Sequence, residues 1–387
     1  MQKVRKSRVV RWKISQPKVD YLVIGVVACV LFLAIFGCVM VYSASYYSAE
    51  VNFGNRYLFL TKQIIGVVLG GLALVFMAFV DYQKLKKFKW WAVIITAVLL
   101  LLVFVPFIGI ENYGARRWIG IGFMSFQPSE IAKFVLVFFC AVHLSEHYEN
   151  TRSLKALLPV LAVGGLFCLL VILEPNMSIT ICLALTLFVM LFIGGLSKKH
   201  FALLGTAGAV AIPLLIALEP YRIKRLMAFI NPWASPQGEG FQLIQSLYAI
   251  GAGGLFGVGL FESRQKHLFL PFSESDFIFS IIVEEIGVIG SILLLLVYAL
   301  LIFFIIKIAL RAKDRYGTLF ASGIAAVIGI QTLLNIAVVS GSIPPTGLPL
   351  PFISAGSTSL MVFMGAIGIV LNIYKTRKEN NEKIIKN

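Results

Sequence analysis

Residues 271–306 read PFSESDFIFSIIVEEIGVIGSILLLLVYALLIFFII, an apolar stretch long enough to cross a bilayer that carries Asp276 at its start and Glu284 and Glu285 about two turns further in. Carboxylates inside a membrane are costly and mark functional sites. Asp276, Ser280 and Glu284 recur every fourth residue, so they share one helix face, about 12 Å long at 1.5 Å per residue. We predict that this face looks into a cavity.

The rest of the chain has the composition of an all-α integral membrane protein. Of its 387 residues, 59% are hydrophobic and 13% charged. The long apolar runs are apolar all round a helix, which excludes a soluble two-domain protein. We predict about ten transmembrane helices and a large extracytoplasmic loop, residues 219–275, between spans 7 and 8. The spans are roughly Tyr21 to Tyr42, Leu58 to Val80, Trp91 to Ile108, Glu130 to Leu144, Ala156 to Leu173, Met177 to Gly195, Phe201 to Leu218, Phe277 to Ile306, Thr318 to Ser340 and Ser354 to Tyr374.

The distribution of lysine and arginine predicts the orientation. Most of these 34 residues fall in segments that are cytoplasmic if the amino terminus is cytoplasmic, as the positive-inside rule requires. We expect a cytoplasmic basic amino terminus (1–20), a polytopic membrane domain (21–374) and a cytoplasmic tail (375–387). The net charge of +16 then reflects orientation and anionic lipid. No nucleic-acid partner is expected, because no basic patch with interleaved aromatics lies in a soluble domain.

The large outer loop carries a basic cluster, Arg222, Lys224 and Arg225, where outer segments are usually poor in basic residues. The cluster is explained either by lipid headgroup contact or by binding of an anionic substrate group. The glycine run at 251–259, GAGGLFGVG, follows a short amphipathic helical stretch and has no preceding strand. It indicates close backbone packing rather than a dinucleotide loop.

Asp276 has two explanations. Ser273 followed by Asp276 has the spacing of a capping box, and acids suit a helix amino terminus. Capping does not explain Glu284 and Glu285, which lie too far along the helix. The alternative is an acid that serves as a general base in a cavity.

Cationic residues occur on two other segments near the predicted outer face. Glu130 and Lys133 share a helix face; they form either an internal ion pair or a site where Lys133 neutralises a diphosphate. Arg116, Arg117 and Trp118 are either an interfacial belt or a grip for a diphosphate.

The last span begins with hydroxyl residues, including Ser357, which either cap the helix or contact an anion at its amino terminus. Together these residues predict an outward-facing cavity with acids next to cations. A general base needs an ionised carboxylate near a hydroxyl, and a departing diphosphate needs cations. A lipid-linked sugar satisfies both requirements.

Six motifs follow one another along almost the whole chain: GARRWIGIGFMSFQPSEIAK, PYRIKRLMAFINPW, GFQLIQSLYAIGAGGLFGVGL, SRQKHLFLP, SDFIFSIIVEEIG and PPTGLPLPFISAG. Together, and in this order, they resemble the motifs of the SEDS (shape, elongation, division and sporulation) membrane glycosyltransferases, the FtsW, RodA and SpoVE proteins. The resemblance is to the FtsW and SpoVE branch more than to RodA.

This resemblance implies a peptidoglycan glycosyltransferase that joins lipid II units on the outer face of the bacterial cytoplasmic membrane and releases undecaprenyl diphosphate. It implies a class B penicillin-binding protein as partner and a role in division, elongation or sporulation. The family's essential aspartate maps onto Asp276, and its other functional positions map onto Arg116, Trp118, Glu130, Lys133 and Ser357. It also implies assistance by a divalent cation, Mg or Mn, whose ligands the resemblance does not assign.

The chain departs from the family pattern at several positions. Phe272 stands where the family usually has glutamate, Asn176 where it has aspartate, Ser178 where it has glycine, and Ala355 in place of the first of two glycines.

Two alternatives to polymerisation also fit buried acids and cations. One is a transporter that flips lipid II, and the other is a non-catalytic scaffold that activates the transpeptidase.

Overall fold

A computed structural model describes residues 20–112, 115–121, 124–150 and 154–386. In these residues the chain forms α-helices and one small sheet. The helices are α1 Tyr21–Phe53, α2 Leu58–Phe79, α3 Tyr82–Leu85, α4 Lys89–Leu102, α5 Pro128–Glu146, α6 Leu154–Leu173, α7 Met177–Ile193, α8 Lys198–Ala217, α9 Pro220–Ile230, α10 Phe241–Gly253, α11 Ile278–Leu310, α12 Arg315–Val339 and α13 Ser357–Lys386.

A helix lies at each of the ten predicted spans, so the all-α membrane character of the chain is confirmed, while the number of ten transmembrane helices stays a prediction. Among the described residues, six helices are long and apolar enough to cross a membrane: α1, α2, α5, α11, α12 and α13 over residues 357–377. Apolar helical segments of the shorter class occupy Leu157–Leu173 and Met177–Ile193. The third predicted span is shorter than expected, because α4 ends at Leu102 and a β-strand begins at Gly109.

The sequence analysis did not predict the small sheet that joins α4 to α5. Its antiparallel strands are β1 Gly109–Asn112, β2 Ala115–Ile121 and β3 Met124–Phe126. Ile110 pairs with Trp118 and Glu111 with Arg116, so a β-bulge leaves Arg117 between the two pairs. Such a bulge re-aims side chains, because residues 117 and 118 of a regular strand would point to opposite faces.

The helices pack side by side into a bundle, which has two opposite ends. α2 lies along α13, and α11 contacts α1, α10 and α12. At one end Asn372 accepts a hydrogen bond from the Tyr82 backbone N–H at 3.0 Å, and Lys86 lies 3.9 Å from Asp314. Several of the basic segments predicted to be cytoplasmic meet at this end. Residues 1–19 and Arg152 lie outside the described residues.

α11 is broken at Gly287, whose φ of 70° and ψ of −178° are not helical. Backbone groups freed by a break at membrane depth need new partners. Residues 254–259 supply them: the Val258 N–H donates to the Glu284 carbonyl at 2.9 Å, and the Val288 N–H to the Gly254 carbonyl at 3.0 Å. A β-carbon at Gly257 would lie 2.1 Å from the Glu285 carbonyl oxygen. The prediction that the glycine run mediates close backbone packing is confirmed.

Candidate functional site

A cavity of about 1040 Å³ opens at the end of the bundle where α2, α5, α11 and α13 begin. Its wall combines apolar residues of α6, α7 and α8 with charged side chains from five separate parts of the chain. The charged residues that line it are Lys62, Arg117, Glu130, Glu219, Arg222, Arg225, Glu274 and Asp276.

Asp276 lies in the wall of this cavity, in the turn before α11. It does not cap the helix, since α11 begins at Ile278 with Phe277 at the cap position and no side-chain cap. The backbone around the acid is fixed: Asn335 Nδ2 donates to the Asp276 carbonyl at 2.8 Å, and Ser354 Oγ donates to the Ser275 carbonyl at 2.7 Å. Side chains of α12 and of the segment before α13 therefore hold the backbone that carries the carboxylate at the cavity.

The surroundings of Asp276 raise its pKa to about 6. Burial is the largest cause, because it disfavours the charged form, and the negative charge of Glu274 acts in the same direction. The charges of Arg117 and Arg225 oppose this shift. Burial also raises the pKa of Glu274. The result is a carboxyl group whose ionisation lies near physiological pH, which suits a general base.

Glu130 lines the cavity, and Lys133 lies behind it. Lys133 Nζ is 2.9 Å from Glu130 Oε1, and both side chains are buried. Lys133 also donates to the Gln331 side-chain oxygen, while Ser359 Oγ donates to Glu130 Oε2 at 2.7 Å. The internal ion pair, one of the two alternatives from the sequence, is present, and it connects α5 with α12 and α13.

The bulge in β2 separates the two adjacent arginines. Arg117 and Trp118 line the cavity, whereas Arg116 is exposed and pairs with Glu111 at 3.2 Å. Arg117 Nε donates to the Glu174 carbonyl at 3.1 Å. The structure thus places Arg117 rather than Arg116 in the cavity wall beside Trp118.

Two members of the predicted basic cluster reach the cavity. Arg222 and Arg225 line it from α9, and Arg225 also donates to the Pro345 carbonyl at 3.2 Å. Lys224 is on the same helix but does not line the cavity.

Residues at the start of α13 also line the cavity. Ser357 lines it, and Ser357 Oγ donates to the Lys62 carbonyl at 3.1 Å. Lys62 and Glu274 are cavity residues that sequence reasoning missed. Lys62 falls within the apolar span predicted from Leu58 to Val80. A lysine near the end of a span is a signal that could have identified it.

The structure contradicts the prediction of one polar face on α11 that looks into a single cavity. Ser280 Oγ is 2.7 Å from Ser246 Oγ, and Glu284 accepts from Ser263 Oγ at 2.5 Å. Glu285 pairs with Lys266 at 2.8 Å. Glu284 and Glu285, which we expected to bind substrate, lie outside the large cavity. The loop after α10 folds back along α11 and covers them.

Two of the departures from the family pattern have local structural roles. The Asn176 side chain caps α7 by accepting a hydrogen bond from the Ile179 N–H at 3.3 Å. The Ala355 N–H donates to the Glu274 carbonyl at 2.9 Å. Phe272 has a φ of 56° in the turn that precedes Asp276, and it lines the cavity.

The protein side chains alone do not identify a site for a divalent cation. Among the described residues no three His, Cys, Asp or Glu side chains cluster in a way that could hold a metal ion. We therefore derive no step through a metal.

Comparison with known proteins finds similarity over most of the chain. A family model for FtsW, RodA and SpoVE, described as cell cycle protein, matches residues 24–379. Stage V sporulation protein E of Bacillus subtilis is 41% identical over 89% of this chain and 94% of its own length. A probable peptidoglycan glycosyltransferase FtsW of Coxiella burnetii is 40% identical over 91% of this chain and 96% of its own length.

Solved structures show the same fold. A chain from work on the structural coordination of polymerization and crosslinking by a peptidoglycan synthase complex superposes with a TM-score of 0.76 and 29% identity. The alignment covers 94% of this chain and 99% of that one. The rod shape determining protein RodA of Thermus thermophilus superposes with a TM-score of 0.67 and 27% identity, over 91% of this chain and 96% of its own.

Proposed function

The chain belongs to the FtsW/RodA/SpoVE family of cell cycle proteins, and we propose that it is a peptidoglycan glycosyltransferase that polymerises lipid II. Its relatives are named for sporulation and for glycan synthesis, so we assign the activity to the cell wall of division or sporulation. The residues of the cavity supply the chemistry that this reaction needs.

The observation that carries the proposal is the position of Asp276. Its carboxyl group lines a cavity of about 1040 Å³ together with Arg117, Arg222 and Arg225. A pKa of about 6 leaves the group ionised at neutral pH and still basic enough to accept a proton. Arg117 and Arg225 favour its ionised form, and all three arginines can offer paired hydrogen bonds to phosphate oxygens.

In the proposed reaction the Asp276 carboxylate takes the proton of the 4-hydroxyl of the acceptor N-acetylglucosamine. The hydroxyl oxygen attacks the anomeric carbon of the donor sugar as the bond from that carbon to the diphosphate oxygen breaks. Undecaprenyl diphosphate leaves with the bonding electron pair, and the configuration at the carbon is inverted. Arg117, Arg222, Arg225 and Lys62 balance the negative charge of the leaving group.

We place the cavity at the outer face of the cytoplasmic membrane. An even number of spans, ten as the sequence predicts, puts both termini on the same side of the membrane, and the positive-inside rule favours the cytoplasm as that side. The basic residues around Lys86 lie at the end of the bundle opposite Asp276, which agrees with the assignment. Apolar residues such as Ile181 and Ile216 in the cavity wall would accommodate the polyprenyl chain.

We also propose a class B penicillin-binding protein as the partner. A similar chain was solved in a peptidoglycan synthase complex, and a crosslinking enzyme must act on the strand that this reaction produces. Exposed apolar residues on α11, among them Ile292 and Leu296, offer a surface for a transmembrane helix.

Polymerisation of purified lipid II by the reconstituted protein, with and without the transpeptidase, tests the proposal. Glycan strands of increasing length are expected from lipid II. No strands are expected when the carrier lipid without a sugar replaces lipid II. A parallel assay with dye-labelled lipid II in vesicles measures translocation. Lipid flipping without polymer would assign the cavity to transport, and neither activity would favour a scaffold.

A further inference from the structure

The segment that follows α10, residues 254–270, is called the return segment here because it runs back along α11 before the chain reaches Asp276. It fills the break at Gly287 through backbone hydrogen bonds with residues 284–289 of α11. A β-carbon at Gly287 would lie 2.4 Å from the Leu255 carbonyl oxygen, so the two backbones are in direct contact. The return segment and the first turns of α11 therefore form one unit.

Buried charged groups hold this unit together. Lys266 and Glu285 are each 1% exposed, and Lys266 Nζ lies 2.8 Å from Glu285 Oε1. Ser43 of α1 completes the pair: its Oγ donates to Glu285 Oε1 at 2.5 Å and accepts from Lys266 Nζ at 3.1 Å. The neighbouring Glu284 accepts from Ser263 Oγ and from the Arg264 N–H at 2.9 Å.

The same stretch of α1 also holds the chain just before Asp276. The carbonyl of Ala44, next to Ser43, accepts a hydrogen bond from Ser273 Oγ at 3.1 Å. Leu270 is buried, and its N–H donates to the Gln265 carbonyl at 2.8 Å. The path from Lys266 to Asp276 thus consists of short, hydrogen-bonded turns fixed to one face of α1.

We propose that the buried Lys266–Glu285 pair, completed by Ser43, is a positioning device that sets the location of the Asp276 carboxylate in the cavity. Neither charge lines the cavity, so the pair acts through the return segment and not on the substrate. Removing one partner leaves the other charge buried without compensation, which is strongly destabilising, and we expect the return segment to shift so that water reaches it. This inference rests on the proposed function, because the position of Asp276 matters only if Asp276 is the general base of the reaction.

Kinetics of lipid II polymerisation test the inference in Glu285→Gln and Lys266→Met. A displacement of about 1 Å at the reacting groups lowers turnover by roughly 100-fold, so we expect kcat to fall by about tenfold to 100-fold with KM within about twofold. The pH midpoint of the reaction should shift, because the distance from Asp276 to Arg117 and Arg225 changes. The charge swap Lys266→Glu with Glu285→Lys should recover part of kcat.

Glu262→Gln is the matched control, because Glu262 is an exposed acid of the same return segment. It should retain the kinetics of the unchanged protein. A purely structural pair would lower the melting temperature and the yield but leave kcat and the pH midpoint of the folded fraction unchanged. That result in both single variants would overturn the inference.

A second measurement does not depend on polymerisation. Spin labels at Leu268 of the return segment and Val51 of α1, both exposed, report the distance between the two elements. We expect a shifted or broadened distance distribution in Glu285→Gln and Lys266→Met and no change in Glu262→Gln. An unchanged distribution would reject the positioning role even if polymerisation were absent, whereas absence of polymer from the unchanged protein would reject only the proposed function.

Discussion

Gly347 lies against the Asp276 carboxylate. A β-carbon on residue 347 would be 2.8 Å from Asp276 Oδ2, closer than carbon and oxygen atoms approach without displacement. The segment that holds Gly347 also lines the cavity and is fixed to α12, where Asn335 Nδ2 donates to the Leu348 carbonyl at 2.7 Å. The acid and the backbone of this segment therefore share one wall of the cavity.

Gly347→Ala should move the Asp276 carboxylate without unfolding the protein. The methyl group meets the tip of a side chain that can rotate, so the fold is retained while the geometry of the base is lost. We expect polymerisation to fall by about 100-fold, the typical cost of a misplacement near 1 Å. Gly71→Ala is the control, because no atom lies within 4 Å of a β-carbon there. Equal activity of the two variants would contradict the placement of Asp276 beside Gly347.

The pH dependence of kcat/KM should show the ionisation of Asp276. Burial raises the pKa of Asp276 to about 6, and the base must be ionised to act. Below pH 6 the rate should therefore fall about tenfold per pH unit, and above it the rate should reach a plateau. The negative charge of Glu274 also raises this pKa, so Glu274→Gln should move the midpoint to lower pH. A midpoint near pH 4 in the unchanged protein would contradict the raised pKa of Asp276.

Adjacent arginines provide a matched pair for testing diphosphate binding. Arg117 lines the cavity, whereas Arg116 is exposed and paired with Glu111. Hydrogen bonds to charged groups contribute about 1.5–3 kcal/mol, so Arg117→Ala should reduce kcat/KM by roughly 10-fold to 100-fold. Arg116→Ala should change it by less than about fivefold, because exposed ion pairs contribute about 0–1 kcal/mol. A larger loss from Arg116→Ala would place Arg116 in the substrate site.

The Lys133–Glu130 pair should stabilise the fold only as long as both charges are present. Lys133→Met leaves Glu130 buried without its cation, and breaking such a pair costs about 3–5 kcal/mol. The double variant Lys133→Met with Glu130→Gln should recover most of the melting temperature in detergent, because no charge is left uncompensated. Its polymerisation should stay low, since Glu130 also lines the cavity. A double variant as unstable as the single one would contradict this interpretation.

The sequence predicts helix positions well because apolar runs that cross a membrane must satisfy their own backbone hydrogen bonds. It predicts Asp276 as a cavity residue because carboxylates are rare in such runs, and the family resemblance adds Glu130 and Trp118 as functional positions. It could not choose between Arg116 and Arg117. That choice depends on a β-bulge in a strand interrupted by glycines, whose register is set by pairing and not by local pattern.

Glu284 and Glu285 show a different limit. Their spacing from Asp276 correctly indicates a common helix, but spacing does not reveal which neighbour covers each face. The return segment brings Ser263 and Lys266 to these acids from a distant part of the loop. A buried lysine after a glycine run is a weak signal for such a partner, and only the fold shows that the segment turns back along α11.

The most direct test of the central claim is polymerisation of lipid II by Asp276→Asn, measured with the reconstituted protein and its transpeptidase. Asparagine keeps the size of the side chain and removes the base, so the variant should fold, bind the partner and produce no glycan strands. Asp276→Glu serves as a control that retains a carboxyl group and should keep a measurable fraction of the activity. Glycan strands formed by Asp276→Asn at a rate near that of the unchanged protein would contradict the assignment of Asp276 as the general base.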